Sequence, residues 1–151
     1  MSLFDKISED LKSAMLARQK DRLESLRAIK TALLLAKTES GTHDLTADQE
    51  MRILQKLVKQ RRESAQIYKE QNREELYQIE IKEAAIIEEY LPKQMSEAEL
   101  ILALKAIIQK VGAASPKDMG KVMGMASKEL AGKADGKMIA EKVKELLSAL
   151  P

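Results

Sequence analysis

From Leu3 to Leu150 the apolar residues return every three or four positions, and no stretch alternates apolar with polar residues for the length of a strand. That period lines apolar side chains along one side of a helix, so the chain is expected to be all-α. Residues with particular backbone roles mark the boundaries. Ser2 stands as an N-cap before Leu3, Ile7, Leu11, Ala14 and Met15. The pattern restarts at Lys20-Asp21, where Asp21 is expected to cap a second helix carrying Leu23, Leu26, Ile29 and Leu33. A break follows at Ser40-Gly41-Thr42-His43-Asp44, with Gly41 ending the helix. Thr46 and Gln49 form a capping box for a third helix over roughly 47–70. Asn72 and Glu75 are expected to open a fourth, running through Ile79, Ile86, Ile87 and Tyr90 until Pro92 stops it.

Beyond Pro92 the helices shorten. Ser96 and Glu99 make a second capping box, ahead of Leu100, Leu104, Ile107, Ile108 and Val111, and Gly112 terminates that helix. Ser115-Pro116 predicts an N-cap followed by proline at the first helical position, and Gly132 is expected to close this sixth helix. Asp135 is expected to cap a seventh with Ile139, Val143, Leu146, Leu147 and Leu150. The reading is therefore a four-helix N-terminal domain, 1–92, and a small three-helix C-terminal domain, 93–151. Charge follows the same division. Residues 1–92 hold 16 Lys/Arg against 17 Asp/Glu, whereas residues 93–151 hold 10 lysines against 7 acids. A mild cationic excess in the second part is compatible with nucleic acid.

The functional classes open to such a chain are narrow. There is no cysteine, which excludes disulfides, thiolate metal sites and cysteine nucleophiles and fits a reducing, cytoplasmic setting. The N-terminus lacks the pattern of a signal peptide, and no apolar run is long enough to span a membrane. His43, the single histidine, sits in a polar loop and is expected to be solvated rather than catalytic. Glu74-Glu75 and Glu88-Glu89 are sequence neighbours, so on a helix they diverge by about 100° and cannot act as an acid/base pair. No catalytic residue, metal site or cofactor is expected.

Binding is the better-supported class. On a helical wheel Lys117, Lys121 and Lys128 fall within about 40° of one another, opposite Met119, Val122, Met123, Ala126 and Leu130. Gly120 and Gly124 flank the lysines, and mid-helix glycine costs about 1 kcal/mol relative to alanine, which points to a closely approached backbone. The approaching body is either a phosphodiester backbone or a neighbouring helix. Lys133 and Lys137 flank the start of the seventh helix, where free N–H groups favour anions, although an Asp135 cap would compete for them. Arg61 projects toward the apolar side of the third helix and is expected to pair with Glu80 or Glu83, or to meet a ligand. Met119, Met123, Met125 and Met138 either fill a small core or face a partner helix. The C-terminal part has no aromatic residue for base stacking, so RNA binding there would rest on shape and phosphates.

Four segments carry a family resemblance. Lys59-Gln60-Arg61-Arg62-Glu63-Ser64, Glu88-Glu89-Tyr90-Leu91-Pro92, Met119-Gly120-Lys121-Val122-Met123-Gly124 and Gly132-Lys133-Ala134-Asp135-Gly136 together resemble the stand-alone YqeY proteins of the GatB/YqeY group. These are similar to the C-terminal tail of GatB, a subunit of the amidotransferase that converts Glu-tRNA(Gln) to Gln-tRNA(Gln). The resemblance implies an all-α fold, a helical block followed by a three-helix tail, and affinity for tRNA. It also implies a non-catalytic role, because the ATP-dependent chemistry of GatB lies outside the shared part. A carbon–nitrogen ligase label would then reflect association rather than activity. The expectation is a tRNA-associated accessory module docking through Lys117, Lys121, Lys128, Lys133 and Lys137, with tRNA or a tRNA-processing or aminoacylation protein as partner. The alternative is a protein-interaction module that uses an apolar groove between helices.

Overall fold

The computed structural model describes residues 2–39, 41 and 44–151, and His43, singled out above as a loop residue, lies outside them. All regular structure among the described residues is helical, as the period of the apolar residues requires. The seven α-helices are α1 (Leu3–Leu16), α2 (Lys20–Glu39), α3 (Ala47–Glu70), α4 (Glu74–Glu88), α5 (Glu97–Val111), α6 (Met119–Glu129) and α7 (Gly136–Ser148). The chain divides into two compact units, Met1–Leu91 and Pro92–Pro151. No helix among the described residues is long and apolar enough to cross a membrane.

The first unit contains α1–α4. The Ser2 hydroxyl accepts from the Asp5 amide at 3.1 Å, and Thr46 and Gln49 form the reciprocal box that opens α3. Two turns depart from expectation. Asp21 lies inside the first turn of α2 rather than at its cap, because the chain reverses at Arg18, whose φ is 55°. Asn72 does not open α4 either. It takes φ 58° after the end of α3, where asparagine tolerates the left-handed conformation, and Arg73 occupies the cap position without a side-chain bond. Ile7, Ala14, Leu26, Ile29, Leu33, Leu54, Val58, Ala84 and Ile87 form the core.

The Glu88–Pro92 segment turns out to knit this unit together. Glu88 pairs with Arg62 of α3, and Glu89 with Arg22 of α2 at 2.7 Å. The Tyr90 hydroxyl donates to Asp10 of α1 at 2.5 Å and accepts from Arg22 at 3.4 Å, while the Lys6 ammonium lies 5.6 Å from the ring centre. Burial and the Asp10 carboxylate push the Tyr90 phenol above its ordinary range, which keeps it a donor. Three consecutive side chains thus reach three different helices.

The second unit contains α5–α7 around Leu100, Leu104, Ile107, Val122, Ala126, Ile139, Val143 and Leu147. Ser96 and Glu99 cap α5 reciprocally, and Gly112 ends it with φ 69°. Ser115-Pro116 opens a single 3₁₀ turn, Pro116–Asp118, and α6 begins only at Met119. The Asp118 carboxylate explains the delay. It accepts from the Ala114 and Ser115 amides, which fixes the tight turn and holds the carboxyl below the usual carboxylate range. The segment before α5 is tied to the α6–α7 connection: Gln94 donates to the Gly132 carbonyl at 2.7 Å, and the Met95 amide to the Lys133 carbonyl at 2.9 Å. Lys142 pairs with Glu97 at 2.7 Å and joins α7 to α5.

Candidate functional site

α6 and the two turns that bracket it hold the residues singled out for binding. The apolar side of α6 is committed to the core: Val122 and Ala126 are fully buried and Met119, Met123 and Met125 pack beside them. The methionines at 119, 123 and 125 are therefore core-filling residues, while Met138 on α7 remains 42% exposed. The opposite side of α6 presents Gly120, Lys121, Gly124, Ser127 and Lys128, all exposed.

The lysines do not form one continuous stripe. Lys121 and Lys128 share the outer face of α6, about 10 Å apart along its axis. Lys117 belongs to the preceding 3₁₀ turn, whose three residues per turn break the angular phase that the wheel assumed. Lys133 lies in the connection to α7 and Lys137 in the first turn of α7. All five are exposed, and none of them makes an ion pair among the described residues. Other lysines of this unit are engaged: Lys110 pairs with Glu129, and Lys142 with Glu97 and Glu145.

The glycines are more open than expected. A Cβ built on Gly120 or Gly124 meets nothing within 4 Å, so no neighbouring helix of this unit is what they admit. Gly120 is also the second residue of α6, not a mid-helix position. With space above both positions, Gly124→Ala should raise the unfolding free energy by about 1 kcal/mol, and Gly120→Ala by less. A thermal melt checks this, and an unchanged or lowered Tm for Gly124→Ala would contradict the open helical surface.

The start of α7 also differs from expectation. Asp135 stands at the N-cap position, but its side chain makes no cap hydrogen bond. The first-turn amides, flanked by Lys133 and Lys137, are therefore not occupied by the carboxylate that sequence reasoning placed there. Gly132, at φ 73°, makes the preceding turn possible.

Arg61 occupies a different place, in the first unit. Its Nε lies 3.5 Å from a Glu83 carboxylate oxygen, and both side chains are 19% exposed. The geometry falls short of a hydrogen bond, so Arg61 Nε is buried without one, and so is the hydroxyl of fully buried Ser25. Burial pushes the Glu83 carboxyl up, and Arg61 offsets this only in part. No group of three or more His, Asp or Glu side chains among the described residues is arranged to hold a metal ion.

A family model described as Yqey-like protein matches residues 4–147. The chain belongs to the YqeY family. Two fungal proteins, each called "Altered inheritance of mitochondria protein 41, mitochondrial", are also similar. The one from Clavispora lusitaniae is 32% identical over 90 residues, 60% of this chain and 52% of its own length. The one from Meyerozyma guilliermondii is 35% identical over 85 residues, 56% of this chain and 44% of its own. This YqeY-family chain thus spans about half the length of the curated relatives it matches. Sequence reasoning missed the roles of Asp10, Arg22 and Tyr90 in this family member. Their spacing of up to 80 residues leaves no local signal.

Proposed function

We propose that this YqeY-family chain is a non-catalytic accessory module that binds tRNA through the outer face of α6 and the turns on either side of it. The observation that carries this reading is a set of five exposed lysines without ion-pair partners among the described residues, two of which, Lys121 and Lys128, share the outer side of α6 with two glycines that have open space above them. Lysine ammonium groups suit phosphate contacts, and missing side chains at 120 and 124 let a bulky backbone come within reach of the helix. The uncapped first turn of α7 adds N–H donors of the same preference. Likeness to the GatB tail, whose parent enzyme acts on tRNA, selects tRNA among polyanions. The amidation chemistry of that enzyme is not part of the proposal. A cytosolic setting is, although the fungal relatives are described as mitochondrial proteins.

The test is fluorescence anisotropy of labelled bulk tRNA with the purified protein at about 50 and 200 mM salt. If all five lysines meet phosphates, log K falls with log salt at a slope of about −4.5, an affinity loss of about 500-fold across that range. Absence of binding at the lower salt would overturn the proposal. Binding indifferent to salt would overturn the lysine face as its site.

A further inference from the structure

The α3–α4 hairpin is longer than the core that supports it. From Gln66 to Glu83 no residue is buried, although this stretch contains Ile67, Tyr68, Leu76, Tyr77, Ile79 and Ile81. The buried residues of the two helices are Leu54, Val58 and Ala65 on α3 and Ala84 and Ile87 on α4, all outside that stretch.

Along α4 and into the turn that follows it, Leu76, Ile79, Glu83, Ile86 and Tyr90 recur at three- and four-residue intervals and so lie on one side. At the C-terminal end this side is covered. Tyr90 packs against the core and takes hydrogen bonds from α1 and α2 partners or gives them. At the N-terminal end the cover stops, leaving Leu76 37% and Ile79 47% exposed. An apolar stripe that outruns its cover is either a cost to solubility or a contact surface.

Charge around the stripe decides what fits. Glu83 lies in it, and Glu80 from α4 together with Asp21 and Glu24 from the start of α2 adds negative potential at the Glu83 carboxylate. Against these four carboxylates stand Arg61, which meets Glu83 without hydrogen-bond geometry, and Arg27, which pairs with Glu24 at 3.6 Å. Glu75 and Lys82 edge the stripe and offset each other. The surface therefore combines two exposed aliphatic side chains at helical spacing with an under-neutralised acidic end.

We propose that the Leu76–Ile79 face of the α3–α4 hairpin docks a basic amphipathic helix of a partner protein. The helix would lay apolar residues on Leu76 and Ile79 and bring lysine or arginine to Glu80 and Glu83, a helix-on-helix mode of recognition. Its charge opposes that of an RNA ligand, so this face and the α6 face select different partners.

Three labelled peptides of about 18 residues test this with the full-length protein. The first repeats leucines on one helical face with lysines on the other. The second keeps the leucines and replaces every lysine by glutamate. The third scrambles the first, keeping its composition and losing its face. Anisotropy should show binding of the first, with the other two at least ten-fold weaker. Leu76→Ser/Ile79→Ser, and separately Glu80→Lys, should each weaken the first peptide at least ten-fold. Circular dichroism should be unchanged, since neither variant touches a buried side chain. The proposal fails if the first peptide does not bind, if the scrambled peptide binds as well, or if both variants bind it like the parent protein.

Discussion

Replacing Lys121 and Lys128 together by glutamate should lower tRNA affinity at least a hundred-fold at about 50 mM salt and leave the helical content intact. Two phosphate contacts are lost and two repulsions introduced, so the dependence of log K on log salt should also become shallower by about two. Circular dichroism should hold because both side chains are exposed and the attraction given up, between Lys121 and the Asp118 carboxylate, is a weak one with no ion pair within 4 Å among the described residues. Lys121 lies in the first turn of α6, where a carboxylate is favoured by the helix dipole, and Lys128 in the last, where one is mildly opposed. These two effects nearly cancel. Anisotropy titrations of the parent and the double variant at two salt concentrations measure both quantities. An unchanged affinity with intact helicity would remove the α6 face from the proposal.

The glycines sharpen the same argument. Gly124→Ala is expected to stabilise the fold, and if the face meets a phosphodiester backbone it should weaken tRNA binding as well. Under the proposal the two effects have one origin: the space above Gly124, where a Cβ meets nothing within 4 Å among the described residues, is the space the phosphodiester backbone would enter.

Local signals in the sequence were reliable where the deciding atoms lie within one turn of one another. Ser2, Thr46 and Ser96 cap the helices they were expected to cap, because the accepting side-chain oxygen and the donating amide are three residues apart. Gly112 ends α5 for the same local reason. Expectations shifted where two local signals compete. Ser115-Pro116 does start a helical segment, but Asp118 folds back on the Ala114 and Ser115 amides and tightens it into a 3₁₀ turn. That shift moves Lys117 off the α6 stripe and Gly120 into the first turn. Asn72 looked like a cap and instead supplies the left-handed residue that the α3–α4 turn needs.

What the sequence could not show is which apolar residues run out of cover. Leu76 and Ile79 repeat at the same three-residue interval as the core residues Ala84 and Ile87, so the interval by itself does not separate exposed from buried. The Glu88–Glu89–Tyr90 contacts were illegible for a related reason. Each partner lies 26 to 80 residues away, so the segment reads as an ordinary acidic helix end.

The second large effect concerns stability. Leu104→Ala should unfold the second unit while the first stays helical. Leu104 is fully buried at the centre of the α5–α7 core, and removing a buried leucine side chain costs about 2–5 kcal/mol. A unit of this size has only about 3–9 kcal/mol of stability in all, so the loss approaches the whole. Nothing compensates within the unit. The cross-helix ion pairs there among the described residues are exposed on at least one side, and such pairs contribute about 1 kcal/mol at most. In the first unit the core is separate, with its own buried leucines and isoleucines and its Tyr90 network. The variant should therefore lose about a third of the α-helical signal at room temperature, the share that α5–α7 supply, and the remainder should melt as in the parent. Urea titration followed by circular dichroism reads both parts. A single transition carrying all of the helical signal, shifted to lower urea, would show instead that the two units unfold as one.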